Sequence, residues 1–221
     1  MRKELQILTG EMQLITTETG INPERDIKKL WGNEFSNLQL STYENLAIIR
    51  ISNGRQMQFY LEPLSGSYAE EIRKMNYSHL FYYYFGDPMK KFDKPFFTII
   101  DNLIIISNSA NTVQHFLNDY NSNRLLSNNE TYKQFDQLVA DQSNISFLLQ
   151  FNNSGSLLRN LLKKQYSLLL DNNQYGFKDF YGLSYQLTSN KDHFFSNFYL
   201  GYKNTLAAPV DSLVYNNDRK Y

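Results

Sequence analysis

Hydrophobic and polar positions along the chain predict short strands interleaved with amphipathic helices. Glu11 to Thr17 alternates loosely, as a half-buried strand does. Pro23 suits an early helix position, with Ile27, Leu30 and Trp31 on one face of a helix over Glu24 to Trp31. Leu38 to Tyr43 and Leu46 to Ser52 predict a hairpin through Glu44-Asn45. Met57, Tyr60, Leu61 and Leu64 fall at helical spacing, and Tyr68 to Met75 reads as a second short helix. His79 to Phe85 predicts a strand closed by the turn residues Gly86-Asp87-Pro88.

Phe96 to Ile100 and Leu103 to Ser107 flank Asp101-Asn102 as a tight hairpin. A helix is expected over Asn111 to Tyr120, presenting Val113, Phe116 and Leu117. Ser127 and Glu130 stand at capping-box spacing and open a helix to about Ala140. Asn144 to Phe151 predicts a strand, and Ser154 starts a helix running towards Leu170. Phe180 to Leu187 and Phe194 to Tyr202 alternate at period two and form a long hairpin.

A strand, a polar break and a helix recur three times. The breaks are Ser52-Asn53-Gly54, Ser107-Asn108-Ser109 and Asn152-Asn153-Ser154, residue types that cap helix N-termini. Hairpins dominate the connections. The expected fold class is therefore α+β, a largely antiparallel sheet with helices packed on one face and a duplicated strand–turn–helix unit. One α+β region over residues 1–205 is expected, divisible into similar lobes of about 1–88 and 89–205. Residues 206–221 read as a loosely ordered tail or linker.

Composition narrows the function classes. The 221 residues carry 22 basic and 22 acidic side chains, so no global field draws the chain to nucleic acid. There is no cysteine, which removes disulfides, thiolate metal sites and thiol nucleophiles. Seventeen Tyr, 16 Phe and 25 Asn explain how 42% hydrophobic residues coexist with a mean hydropathy of −0.51. No apolar run has the length of a membrane span.

No stretch carries a recognisable catalytic pattern. His79, His115 and His193 lack zinc-ligand spacing, a Gly-x-Ser-x-Gly elbow is absent, and no glycine-rich phosphate loop occurs. No metal or cofactor is expected. The aromatic strands are more informative, since tyrosine offers sugars or proteins a flat apolar face with a polar tip. Tyr82 and Tyr84 are the candidate ligand-binding residues. A hydrolase assembled only in the fold would draw first on Asp87, Asp93 and Asp101.

The run Phe96-Phe-Thr-Ile-Ile-Asp-Asn-Leu-Ile-Ile-Ile-Ser-Asn-Ser109 is the most distinctive in the chain. With Leu125 to Tyr132, Ser143 to Phe147 and Phe180 to Tyr185, it resembles a group of uncharacterised Bacteroidetes envelope proteins. The resemblance implies a duplicated α+β region, an N-terminal anchor or export signal, and often a further β-rich, propeller-like part. It supplies no catalytic residues. A non-catalytic binding or scaffolding module is therefore expected, partnered by protein or by other domains of a longer chain, with glycan as an alternative ligand. Its location would be the periplasm or cell envelope if the chain is a fragment of an exported protein, and the cytoplasm otherwise.

Overall fold

An 18-residue helix, α1 (Arg2–Thr19), occupies the stretch where a strand is expected. Leu8, Met12 and Ile15 recur at helical spacing and are buried. The threonines that lend the segment its strand-like look are accommodated by back-bonding. Thr9, Thr16, Thr17 and Thr19 each donate a hydroxyl to the carbonyl four residues earlier, at 2.7–2.9 Å. The computed structural model that shows this describes residues 2–164, 166 and 177–203. Two compact units divide after Ser122 rather than near residue 88.

In the first unit, Asn22 caps a wide turn over Pro23–Ile27, its side-chain oxygen accepting from the Arg25 amide at 3.0 Å. Lys28–Leu30 forms a tighter turn, and Trp31 opens a strand instead of closing a helix. Six strands follow: β1 (Trp31–Gln39), β2 (Asn45–Ile51), β3 (Ser65–Ser67), β4 (Arg73–Met75), β5 (Phe96–Ile100) and β6 (Leu103–Ser107). They form one antiparallel sheet in the order β1-β2-β6-β5-β4-β3. Because β5 and β6 pair with β2 and β4, a division near residue 88 would cut through this sheet.

Tyr68 to Met75 is therefore the turn and second strand of a small hairpin, not a helix. The Tyr68 amide donates to the Ile72 carbonyl at 3.0 Å, and the Arg73 guanidinium reaches the Ser65 hydroxyl at 2.9 Å. His79 to Phe85 reverses the other way. Its last six residues are a helix, α3 (Leu80–Phe85), entered through His79 in the left-handed conformation.

The register sorts the sheet's two faces. Ala47 pairs with Ile106 and Ile49 with Ile104, and these point to the same side as Phe97. That side is buried with α1, α2 (Gly54–Leu61) and α3 through Met12, Ile15, Met57, Leu61 and Phe81. On the opposite side, Phe96 and Ile100 pack against Val113 and Leu117 of α4 (Ala110–Asn121). The first two strand–break–helix units thus share their local chemistry and send their helices to opposite faces. Asn53 caps α2 through the Gln56 amide at 3.0 Å, and Ser109 caps α4 through the Thr112 amide at 3.4 Å.

The second unit contains α5 (Glu130–Asp136), β7 (Ile145–Gln150), α6 (Phe151–Leu161), β8 (Phe180–Asn190) and β9 (His193–Tyr202). Its sheet is antiparallel in the order β7-β8-β9. Asn129, not Ser127, caps α5, accepting from the Tyr132 amide at 3.0 Å, because Leu126–Asn128 is already a tight turn. α6 starts directly after β7 without a side-chain cap. It ends at Leu161 with Leu162 already extended, so the expected run towards Leu170 is cut short; the tail from 206 lies outside the described residues. The architecture is α+β with antiparallel sheets throughout.

Gly54 is held by a close approach. Its amide donates to the Asn102 side chain at 3.0 Å, and a Cβ there would stand 1.9 Å from the Asp101 carbonyl oxygen. Gly54→Ala must push α2 off the β5–β6 turn, at a cost of about 1–3 kcal/mol. Urea denaturation should show a lower midpoint at unchanged slope; an unchanged midpoint would contradict this contact.

Candidate binding face on the three-stranded sheet

Alternation along β7, β8 and β9 gives their sheet one face rich in polar residues and glycine, with Leu148 and Phe195 exposed towards its rim, and one apolar face. The polar face is the covered one. Phe135 of α5 is 1% exposed and lies over it, its ring centroid 5.3 Å from Tyr181 and 5.2 Å from Tyr199. Gly182 and Gly201 form its seat: a Cβ on Gly201 would come within 2.7 Å of the Phe135 ring. The ring thus occupies space that Gly201 leaves open, while Gly182 is required by the Leu149 carbonyl oxygen, 2.8 Å from where its Cβ would stand.

Two buried polar side chains beneath this cover, Gln186 and Tyr181, are matched. The Gln186 amide donates to the Ala140 carbonyl at 2.8 Å and accepts from the Ala140 amide at 3.1 Å. This two-way bond fastens the segment after α5 to the central strand. Ser184 on the same face is also buried. The Gln150 amide donates to the Tyr181 hydroxyl at 3.0 Å, and burial raises that phenol above its ordinary range.

The opposite face is apolar across all three strands. Phe147, Tyr185 and Phe198 stand side by side in one cross-strand row. Leu149, Leu183 and Leu200 form the next row on one side; Ile145, Leu187 and Ser196 form the row on the other, with Phe194 beyond. None of these ten positions is charged. Five of their large side chains are open: Phe194 is 81% exposed, Ile145 64%, Phe198 61%, Phe147 53% and Tyr185 39%. At ~200 Å² for a large side chain, the five present on the order of 600 Å². That is the upper end of the largest apolar patch of an ordinary monomer, and such patches mark binding surfaces.

The residues singled out from the sequence lie elsewhere. Tyr82 and Tyr84 sit on α3 of the first unit, not on a strand. Tyr82 is buried, its hydroxyl donating to Glu4 at 2.6 Å with the Lys90 ammonium 5.2 Å from its ring centroid. The bond to Glu4 raises its pKa. Tyr84 packs on Trp31 at 5.4 Å, and burial drives its phenol far above the ordinary range. The three aspartates are exposed and engage different partners. Asp87 faces the Tyr82 hydroxyl at 3.5 Å, Asp93 faces His79 at 3.6 Å, and Asp101 accepts from Tyr120 at 2.8 Å.

Two open clefts have polar linings. One, of about 480 Å³ in the second unit, is bounded by Asn129, Gln150, Asn153, Tyr181 and Lys203. Its amides already bond one another: Asn153 donates to Gln150 at 3.0 Å, and Gln150 to Tyr181. The other, of about 530 Å³, lies at the Asn53 cap of α2. Among the described residues no group of three or more His, Asp or Glu is placed to hold a metal ion.

Alternation in β8 and β9 is visible in the sequence, and with it the two faces. Nothing in the alternation says which face the helix takes. Gly201 is the signal that could have told, since it makes room for a ring on the polar side. No protein-family model matches the chain, and neither curated proteins nor solved structures yield a similar one.

Phe135→Ala should cost about 3–5 kcal/mol, because the cavity is roofed by fixed strands. Hydrogen exchange should accelerate in β7–β9 and leave the amides of β2, β5 and β6 protected. Equal acceleration in both sheets would contradict the assignment of Phe135 to the second unit's core.

Proposed function

We propose that the chain is a non-catalytic binding or scaffolding module, and that the open face of β7–β9 is its docking surface. One observation carries the reading. An antiparallel sheet ordinarily buries its apolar face and wets its polar one; here α5 takes the polar face and leaves an uncharged aromatic row exposed. A surface centred on Phe and Tyr with no charge suits a protein partner, because such side chains supply most of the energy of protein–protein interfaces. A polar, sugar-binding surface would instead present amides and hydroxyls around its rings. The cell envelope is the proposed setting, supported by the sequence resemblance. Among the described residues no helix is long and apolar enough to cross a membrane.

Photo-crosslinking in the source cells tests the docking role. A benzophenone amino acid at position 194 should yield discrete protein adducts, recovered with the envelope fraction. The same group at Tyr43, 93% exposed on the first unit, should yield none. Adducts from 194 should disappear when Phe147→Ser and Phe198→Ser are combined with it. Identical adduct patterns from positions 194 and 43 would overturn the reading.

A further inference from the structure

The apolar face of β7–β9 also indicates what covers it. Resting on its reading as a docking surface, we propose that the occupant is a second copy of this chain. The two sheets pack face to face about a twofold axis through Tyr185.

Three properties of the face support this. The first is its symmetry about the central strand. Phe147 and Phe198 flank Tyr185 on either side, each directly paired with it across the sheet. A twofold axis at Tyr185 therefore sets an aromatic row against an aromatic row. Such an interface is isologous, each copy giving and receiving the same contacts. Sheets packed this way keep strand directions within about 30° and interdigitate inner side chains over about 10 Å. Two open-faced sheets become one closed two-layer core, the arrangement an amphipathic sheet needs.

The second property is electrostatic. The ten face positions carry no charge. The whole chain has 22 basic and 22 acidic side chains, so two copies approach without net repulsion. An uncharged face gives no sign of selecting a strongly acidic or basic partner, and self-association needs no charge complementarity.

The third is area. On the order of 600 Å² of open apolar surface per copy gives about 1,200 Å² in the pair, the lower bound of stable specific interfaces. With all of it aromatic or aliphatic, a Kd on the order of 1–10 μM is expected, the weak end for interfaces of ordinary size.

Sedimentation equilibrium with site-specific crosslinking tests the dimer on the intact chain. The wild type should sediment at twice its 26.0 kDa mass above the Kd and dissociate on dilution. Combining Phe147→Lys with Phe198→Lys places like charges across the axis. It should give a monomer with unchanged circular dichroism, since both side chains are exposed in the isolated sheet. The chain has no cysteine, so Tyr185→Cys supplies a single thiol. Mild oxidation should link two copies through it, and Tyr43→Cys should not. A dimer that persists in the double lysine variant overturns the proposal.

A wild type that stays monomeric well above 10 μM also overturns it, and dye binding then decides what else falls. If anilinonaphthalene sulfonate fluoresces with the wild type and not with the double lysine variant, the face is open and the occupant is another protein. If the dye is silent on both, the docking face itself fails with the dimer.

Discussion

A sheet of three strands has two faces and, among the described residues, one helix that buries a side chain on it: α5 does so through Phe135, while α6 runs on from β7 with no residue fully buried. That constraint governs the second unit. The seven residues of α5 place one large ring, Phe135, on the sheet, and the ring fits where Gly201 carries no side chain. The polar face is the one with the glycines. Once α5 takes it, the aliphatic and aromatic face is left over, and the stability of the unit rests on a small cluster of Phe135, Tyr181, Tyr132 and Tyr199 with Val139. The Gln186 clamp to Ala140 then matters more than a single polar pair ordinarily would. A buried amide with both ends satisfied is tolerable, and one with either end broken is costly.

The first unit meets the same requirement at its centre. Its central strands β5 and β6 are covered on both sides, by α1, α2 and α3 on one face and α4 on the other, while the edge strand β1 is largely exposed. Nothing comparable to the Phe147–Tyr185–Phe198 row is left open on its central strands: Ile49, Ile104, Ile105 and Ile106 are fully buried. The contrast within one chain makes the open face of the second unit informative. The same kind of sequence, built from the same Ile, Phe, Tyr and Asn vocabulary, closes the centre of one sheet and leaves the other with an open apolar face.

Much of the fold was legible in the residues, for definable reasons. β5–β6 and β8–β9 are sharp in the sequence because two apolar runs bracket turn residues, and Asp101 and Lys191 do take positive φ. α4 was legible because Ser109 caps a clean i, i+3, i+4 stripe. Three stretches misled. The threonines of α1 look strand-like but bond back to the helix. Leu80 to Phe85 is apolar or aromatic at every position, so it has no period to read, and His79's left-handed turn decides it. Arg73 to Met75 joins a sheet edge through long-range pairing with Phe96 and Phe97 that no local pattern records. The candidate site was legible only as alternation. Tyr82 and Tyr84 stood out as a cluster, yet the tyrosine that matters to the open face is Tyr185. Its environment depends on which side a helix 50 residues earlier comes to rest.

The central claim is that the second sheet is covered on its polar side and open on its apolar side. Hydroxyl-radical footprinting of dilute protein, followed residue by residue by mass spectrometry, tests it most directly. Phe194, Phe198 and Phe147 should oxidise rapidly, while Phe135 and Tyr181 in the same unit stay protected. Protection of the first three with oxidation of Phe135 would mean the helix lies on the other face, and the binding surface described for this protein would not exist.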